Sequence, residues 1–199
     1  MGYSNYKKIS QVTNRFGLNH QLGDIFQKIK PIKPSAWLKE ALVMAREMPL
    51  RNEKVKSEKL VSPILSEIVR SYKTQITLFS GEDLTVKSED DLAGACDFFF
   101  ALHPPKIEME APIISIAEAK DEDMDWGIGQ CASQMYGARL YNELHKKSLP
   151  TIYGCATTGV EWQFLKLEND TYTVDRNIFT DLPQVIGAWH QILKSYIKS

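Results

Sequence analysis

The sequence predicts an α/β domain, a mixed sheet flanked by helices, and three observations predict it. Residues 94–100 and 113–120 are apolar runs of strand length, joined by His103-Pro104-Pro105-Lys106, a turn signal that lets them pair as a long hairpin. Amphipathic stripes at helical spacing stand before and after this hairpin. Residues 151–157 then read as a further strand, and a strand-helix-strand crossover of this length favours a parallel neighbour and a right-handed connection.

In chain order, Leu18, Leu22, Ile25, Phe26 and Ile29 recur at helical spacing and predict a short amphipathic helix ending before Pro31 and Pro34. Ser35 is a fitting N-cap for a second helix through Trp37, Leu38, Ala41, Leu42 and Ala45, closing near Pro49. Residues 1–50 are therefore expected to be an N-terminal helical extension, and residues 51–199 the main domain. From Ser57 to about Tyr72, Leu60, Val61, Ile64, Leu65, Ile68 and Val69 form a broad helical stripe. At ~100° per residue, Glu58 falls about 70° from the centre of that stripe and Glu67 about 110°. Glu58 is thus the better placed to reach inward.

Residues 75–79 predict the first strand, with Gly81-Glu82-Asp83 as a turn and 84–86 as its continuation or return. Gly94 permits a bulge or close approach just before Asp97. In the next strand the period of two puts Glu118 and Lys120 on one face with Ile114 and Ile116, and Ser115, Ala117 and Ala119 on the other. Residues 121–125 are strongly acidic, which suits the N-terminus of the following helix. That helix, from about Trp126 to Lys147, carries Ile128, Cys131, Ala132, Met135 and Ala138 as a small apolar stripe, with Gln130 and Gln134 on another face. Residues 160–167 and 172–174 form a meander. Thr180 or Asp181 caps a last helix with Pro183 in its first turn and Val185, Ile186, Trp189, Ile192, Leu193 and Tyr196 as its buried stripe.

The chain has 199 residues, 43% hydrophobic and 25% charged, which suits one ordinary soluble domain. No apolar run reaches the ~20 residues that span a bilayer, and the first residues open no signal peptide, so a cytoplasmic protein with no membrane partner is expected. Cys96, Cys131 and Cys155 lie in apolar segments without metal-ligand spacing and read as small buried hydrophobes in a reducing compartment. The four histidines fall in turns or on polar faces and are expected at the surface. A zinc spacing, a phosphate-cradling glycine loop and a locally supported Ser/His/Asp set are all missing from the sequence.

The chemistry concentrates at the hairpin. Asp97, Glu118 and Lys120 end runs so hydrophobic that they have no structural need of ions, and a carboxylate out of water costs several kcal/mol unless compensated. A favourable register brings Asp97 near Glu118. Two hard oxygen ligands with open positions suit Mg2+ (or Mn2+), and a neighbouring ammonium can orient or deprotonate a water and steady charge on a phosphodiester under attack.

At these residues the chain resembles the PD-(D/E)xK nuclease superfamily, the restriction-endonuclease-like fold. Asp97 stands for the motif's Asp and Glu118-Ala119-Lys120 for (D/E)xK, with Cys96 where the usual proline would precede the Asp. The resemblance covers residues 57–168 in the order helix, strand, Asp-strand, ExK-strand, helix, strand. It implies a restriction-endonuclease-like αβββαβ core with extra N-terminal and C-terminal helices. It implies a metal held by Asp97, Glu118 and the Ala119 carbonyl, with Lys120 positioning water. Glu58 would be the superfamily's helix glutamate, and Gln130 its glutamine beside the cleft, bonding phosphate or water. The expected function is a metal-dependent nuclease acting on nucleic acid, DNA first, and a homodimer would let two sites cut two strands. The alternative is a catalytically inert nucleic-acid- or protein-binding member of the same fold. The net charge of -1 and the acidic loop favour that alternative, whereas the intact acid and lysine set favours the enzyme.

Overall fold

The structure, a computed structural model, describes residues 2–106, 108–120 and 123–197. Its regular elements are α1 (Ile9–Phe16), β1 (Asn19–Gly23), α2 (Ala36–Arg46), α3 (Glu53–Lys56), α4 (Ser62–Arg70), β2 (Thr77–Asp83), β3 (Ala95–Ala101), β4 (Ile113–Ala119), α5 (Met124–Leu144), β5 (Thr151–Thr157), β6 (Trp162–Glu168), β7 (Thr171–Asp175) and α6 (Leu182–Tyr196). The strands make one seven-stranded sheet in the order β1-β7-β6-β5-β4-β3-β2. β1 pairs with β7 and β4 with β5 in parallel, and the other neighbours are antiparallel. The protein is therefore α/β, with a mixed sheet flanked by helices. Among the described residues no helix is long and apolar enough to cross a membrane.

Each face of the sheet buries its own core. On one, Phe99, Ile116 and Leu165 pack with Val12 of α1 and Cys131, Ala132 and Met135 of α5. On the other, Phe98, Phe100, Ala117 and Phe164 pack with Leu38 of α2, Ile64, Leu65 and Ile68 of α4, and Ile186 and Trp189 of α6. Trp189 is fully buried, with its ring 5.1 Å from that of Phe100 and 5.5 Å from that of Phe164. Trp189→Ala is expected to cost about 3–5 kcal/mol, read as a lower urea midpoint at unchanged m-value.

Most elements stand where their signals place them. Ser35 caps α2 by accepting from the Leu38 N–H, and Pro183 sits in the first turn of α6 behind Asp181. The N-terminal region differs. The helix expected over 18–29 is not formed: Gly17 adopts a left-handed φ of 67° and ends α1, and the chain then runs as β1 along β7. β1 is almost wholly exposed and polar, so it shows no alternation by which a strand could be recognised. The segment after it is tied down by polar bonds, the Ile25 N–H to the Asp175 carboxylate (3.1 Å) and the Ile32 N–H to the Pro183 carbonyl (2.9 Å). Residues 2–50 thus supply a strand of the common sheet and core side chains such as Tyr3, Val12 and Leu38.

Three local readings change as well. Gly81-Glu82-Asp83 is not a turn, because β2 stays paired with β3 through Glu82↔Cys96 and Asp83↔Ala95, with Gly81 absorbing a φ of 70° inside the strand. Ile114 lies on the face opposite Ile116, because the register slips between Phe100↔Ser115 and Ala101↔Ile113, leaving Ile114 as the extra residue of a bulge. His103 is buried, not exposed, and its Nδ1 lies 2.7 Å from the Pro104 carbonyl.

Helical backbone runs on from α3 to α4, and a π-helical turn at Ser57–Val61 joins them, in which the Ser62 N–H donates to Ser57. Pro63 lacks an N–H and would clash with the carbonyl four residues back in a regular helix. The wider turn removes that conflict and adds a residue, which rotates everything before it relative to α4.

Candidate acid-lysine site

The site forms where β3 and β4 stop pairing. Their register ends at Phe98↔Ala117, and one step further sets Asp97 beside Glu118. Asp97 Oδ2 accepts the Ala119 N–H at 2.8 Å. Glu118 is 1% exposed. Its Oε1 lies 2.9 Å from Lys120 Nζ, and its Oε2 accepts from Gln134 Nε2 at 2.8 Å. Lys120 is fixed through its backbone by the Thr157 carbonyl of β5 (2.8 Å). Its ammonium also lies 3.5 Å from the Glu53 carboxylate and 5.7 Å from the centre of the Trp126 ring.

Local sequence explains why these groups meet. Asn52 accepts from the Val55 N–H and starts α3, so Glu53 stands in the first helical turn facing the strand ends. Asp123 caps α5 by accepting from the Trp126 N–H at 2.9 Å. Gly127 lets α5 settle closely, for a Cβ there would stand 3.0 Å from Lys120 Cγ and 3.2 Å from Ala156 Cβ. That seating sets the height at which Gln134 reaches Glu118.

Burial governs the electrostatics. It pushes the Glu118 carboxyl up to about 8, with the Asp97 charge adding to the rise and Lys120 and Gln134 opposing it. Burial also raises Asp97, against the Ala119 N–H and Lys120. Burial alone would lower Lys120, but the charge and hydrogen bond of Glu118, with Glu53 and Asp97, carry it above the ordinary lysine value. Lys120 is consequently an ammonium at neutral pH.

Of the residues singled out in the sequence, Asp97, Glu118, Ala119 and Lys120 are brought together. Glu58 is not: it is exposed, in the π-helical turn, and the helix acid beside Lys120 is Glu53. Glu67 accepts from the Ser35 N–H and hydroxyl and is bound to the start of α2. Gln130 is buried with an unpartnered Oε1, and the glutamine on Glu118 is Gln134, one turn later on the same face. Asp121 and Glu122 of the acidic loop lie outside the described residues. The expected helix began only at Ser57 and so left Glu53 out; Asn52, a residue that suits an N-cap, is the signal that would have started it earlier.

Among the described residues of the site, Asp97 and Glu118 are the side chains that could hold a divalent cation, with the Ala119 carbonyl as a further oxygen donor. Among the described residues no three His, Cys, Asp or Glu side chains group closely enough to hold a metal by themselves. Two hard oxygen donors whose ionised forms are disfavoured by burial nonetheless fit Mg2+, which takes few carboxylates and fills its shell with carbonyls, water and phosphate oxygens. A Gln134→Ala change leaves Glu118 Oε2 buried without its donor, so a cost of about 1–3 kcal/mol in urea unfolding is expected.

Fold and site together define an α/β protein that carries a buried acid-lysine cluster at one end of its central strands. No protein-family model matches the chain, and no curated protein matches it.

Proposed function

We propose that the protein is a metal-dependent nuclease that hydrolyses phosphodiester bonds of nucleic acid, with DNA as the expected polymer. The observation that carries this reading is the meeting of Lys120 with Glu118 (2.9 Å), beside an Asp97 whose carboxylate is bonded to the residue between them (2.8 Å). The order α4, β2, β3, β4, α5, β5 supports a restriction-endonuclease-like core, since it is the order the sequence resemblance implies.

In this reading Asp97, Glu118 and the Ala119 carbonyl hold Mg2+ or Mn2+. The cation, when bound, supplies charge neutralisation on the phosphate oxygens. Lys120, protonated and held between Glu118 and Glu53, donates hydrogen bonds to the attacking water and to the developing phosphoryl charge. Gln134 fixes the orientation of Glu118, and the Trp126 ring shields one side of the ammonium. Lys120 is therefore an orienting and electrostatic group, not a proton acceptor, in this arrangement.

The test is incubation with labelled single-stranded, duplex and branched DNA and with RNA, in Mg2+, in Mn2+ and in chelator. Metal-dependent cleavage that disappears in Lys120→Ala supports the enzyme. Binding without cleavage in every metal would leave the inert binding protein of the same fold.

A further inference from the structure

Charge is unevenly distributed along the chain. Residues 82–125 carry thirteen acids against three lysines, whereas residues 28–59 carry nine lysines and arginines against four glutamates. The basic stretch supplies α3 and so borders Lys120 directly, through Glu53. Arg46, Arg51, Lys54 and Lys59 are all exposed, and none has a carboxylate partner among the described residues.

Apolar side chains lie exposed in the same region. Met44 is 53%, Met48 41% and Val160 61% exposed. Arg46 and Val160 line one cavity of about 210 Å3 with Leu50, Leu60 and Gly159. That cavity opens two residues beyond Thr157, whose carbonyl holds the Lys120 N–H. Cations interleaved with uncovered apolar groups suit a polymer that offers phosphates and base faces together, and a fully paired duplex hides its base faces.

We infer that the surface running from the end of α2 through α3 and the π-helical turn is the docking bank for a single nucleic-acid strand. Its phosphates lie along Arg46, Arg51, Lys54 and Lys59, and its unpaired bases cover Met44, Met48 and Val160. The strand leaves the acid-lysine site on this side, because α3, within this bank, stands beside Lys120 through Glu53 and its cations attract phosphates. The inference rests on the nuclease reading given above and names the polymer form that the site takes.

The test uses Asp97→Asn protein in chelator, so that binding is read without cleavage, and a fluorescent 20-nucleotide DNA or RNA strand followed by anisotropy across a salt series. The triple change Arg51→Gln, Lys54→Gln, Lys59→Gln touches exposed side chains only. It is expected to lower the slope of log K against log salt by about 2, since each phosphate contact on a single strand is worth about 0.7. Glu89→Gln with Asp91→Asn, in the acidic stretch, is expected to leave or strengthen binding. The DNA and RNA arms decide which sugar is preferred. An unchanged slope in the triple variant, or a duplex bound as tightly as the single strand, overturns the inference. If that occurs while wild-type protein still cleaves with metal, the nuclease reading survives. Wild-type protein that neither binds nor cleaves any nucleic acid ends both.

Discussion

Lys120→Ala is expected to lower metal-dependent cleavage by about 10³-fold while leaving the fold in place. The ammonium is 2.9 Å from Glu118 and 3.5 Å from Glu53, and burial does not discharge it because those carboxylates hold its proton. In the proposed site, removing it takes away the cation that would face the developing phosphoryl charge. The effect should fall on kcat, with KM nearly unchanged, since the proposed docking cations Arg46, Arg51, Lys54 and Lys59 remain. A KM increase with kcat preserved would mean that Lys120 only anchors substrate. Circular dichroism and urea unfolding of the variant separate lost chemistry from lost structure.

Glu118→Gln is expected to change how stability depends on pH. The Glu118 carboxyl is raised from 4.5 to about 8, burial being the main cause. Between these values the folded protein keeps a proton that the unfolded chain releases, so folding stability falls as pH rises through the window, by up to about 1.4 kcal/mol per unit. The contribution is fully present below pH 4.5 and lost as pH passes 8. Glutamine has almost the same shape and cannot ionise, so in metal-free buffer the variant should gain on wild type steadily from about pH 5 to pH 8. Urea midpoints measured at each pH would show it. Parallel curves would mean that Glu118 stays ionised throughout, with Lys120 and Gln134 fully offsetting its burial.

The central strands were legible because their signals are local. Two apolar runs around His103-Pro104-Pro105-Lys106 determine a hairpin, and Asp97 and Glu118 stand at the paired ends that such a hairpin must have. The helix acid was not legible in the same way. Steps of about 100° hold only in a regular helix, and the π-helical turn ahead of Pro63 breaks that periodicity, with Glu53 beside Lys120 and Glu58 in solvent. Gln130 and Gln134 share a face, so periodicity could not choose between them. The choice was made by how deeply α5 settles at Gly127, a contact with Lys120 and Ala156 that sequence spacing does not encode. β1 was hidden for another reason, since an exposed polar strand is recognisable only by its partner β7, about 150 residues away.

The most direct measurement is thermal melting of wild type and Asp97→Asn during titration with Mg2+ and Mn2+. Asparagine can still accept the Ala119 N–H through its carbonyl oxygen, so the end of β4 stays supported while a charged ligand is lost. At a hundredfold excess over Kd the wild type should melt about 5–10 °C higher, and Asp97→Asn should show almost no rise. A wild type indifferent to both ions, or an equal rise in the variant, would contradict a metal held by Asp97 and Glu118.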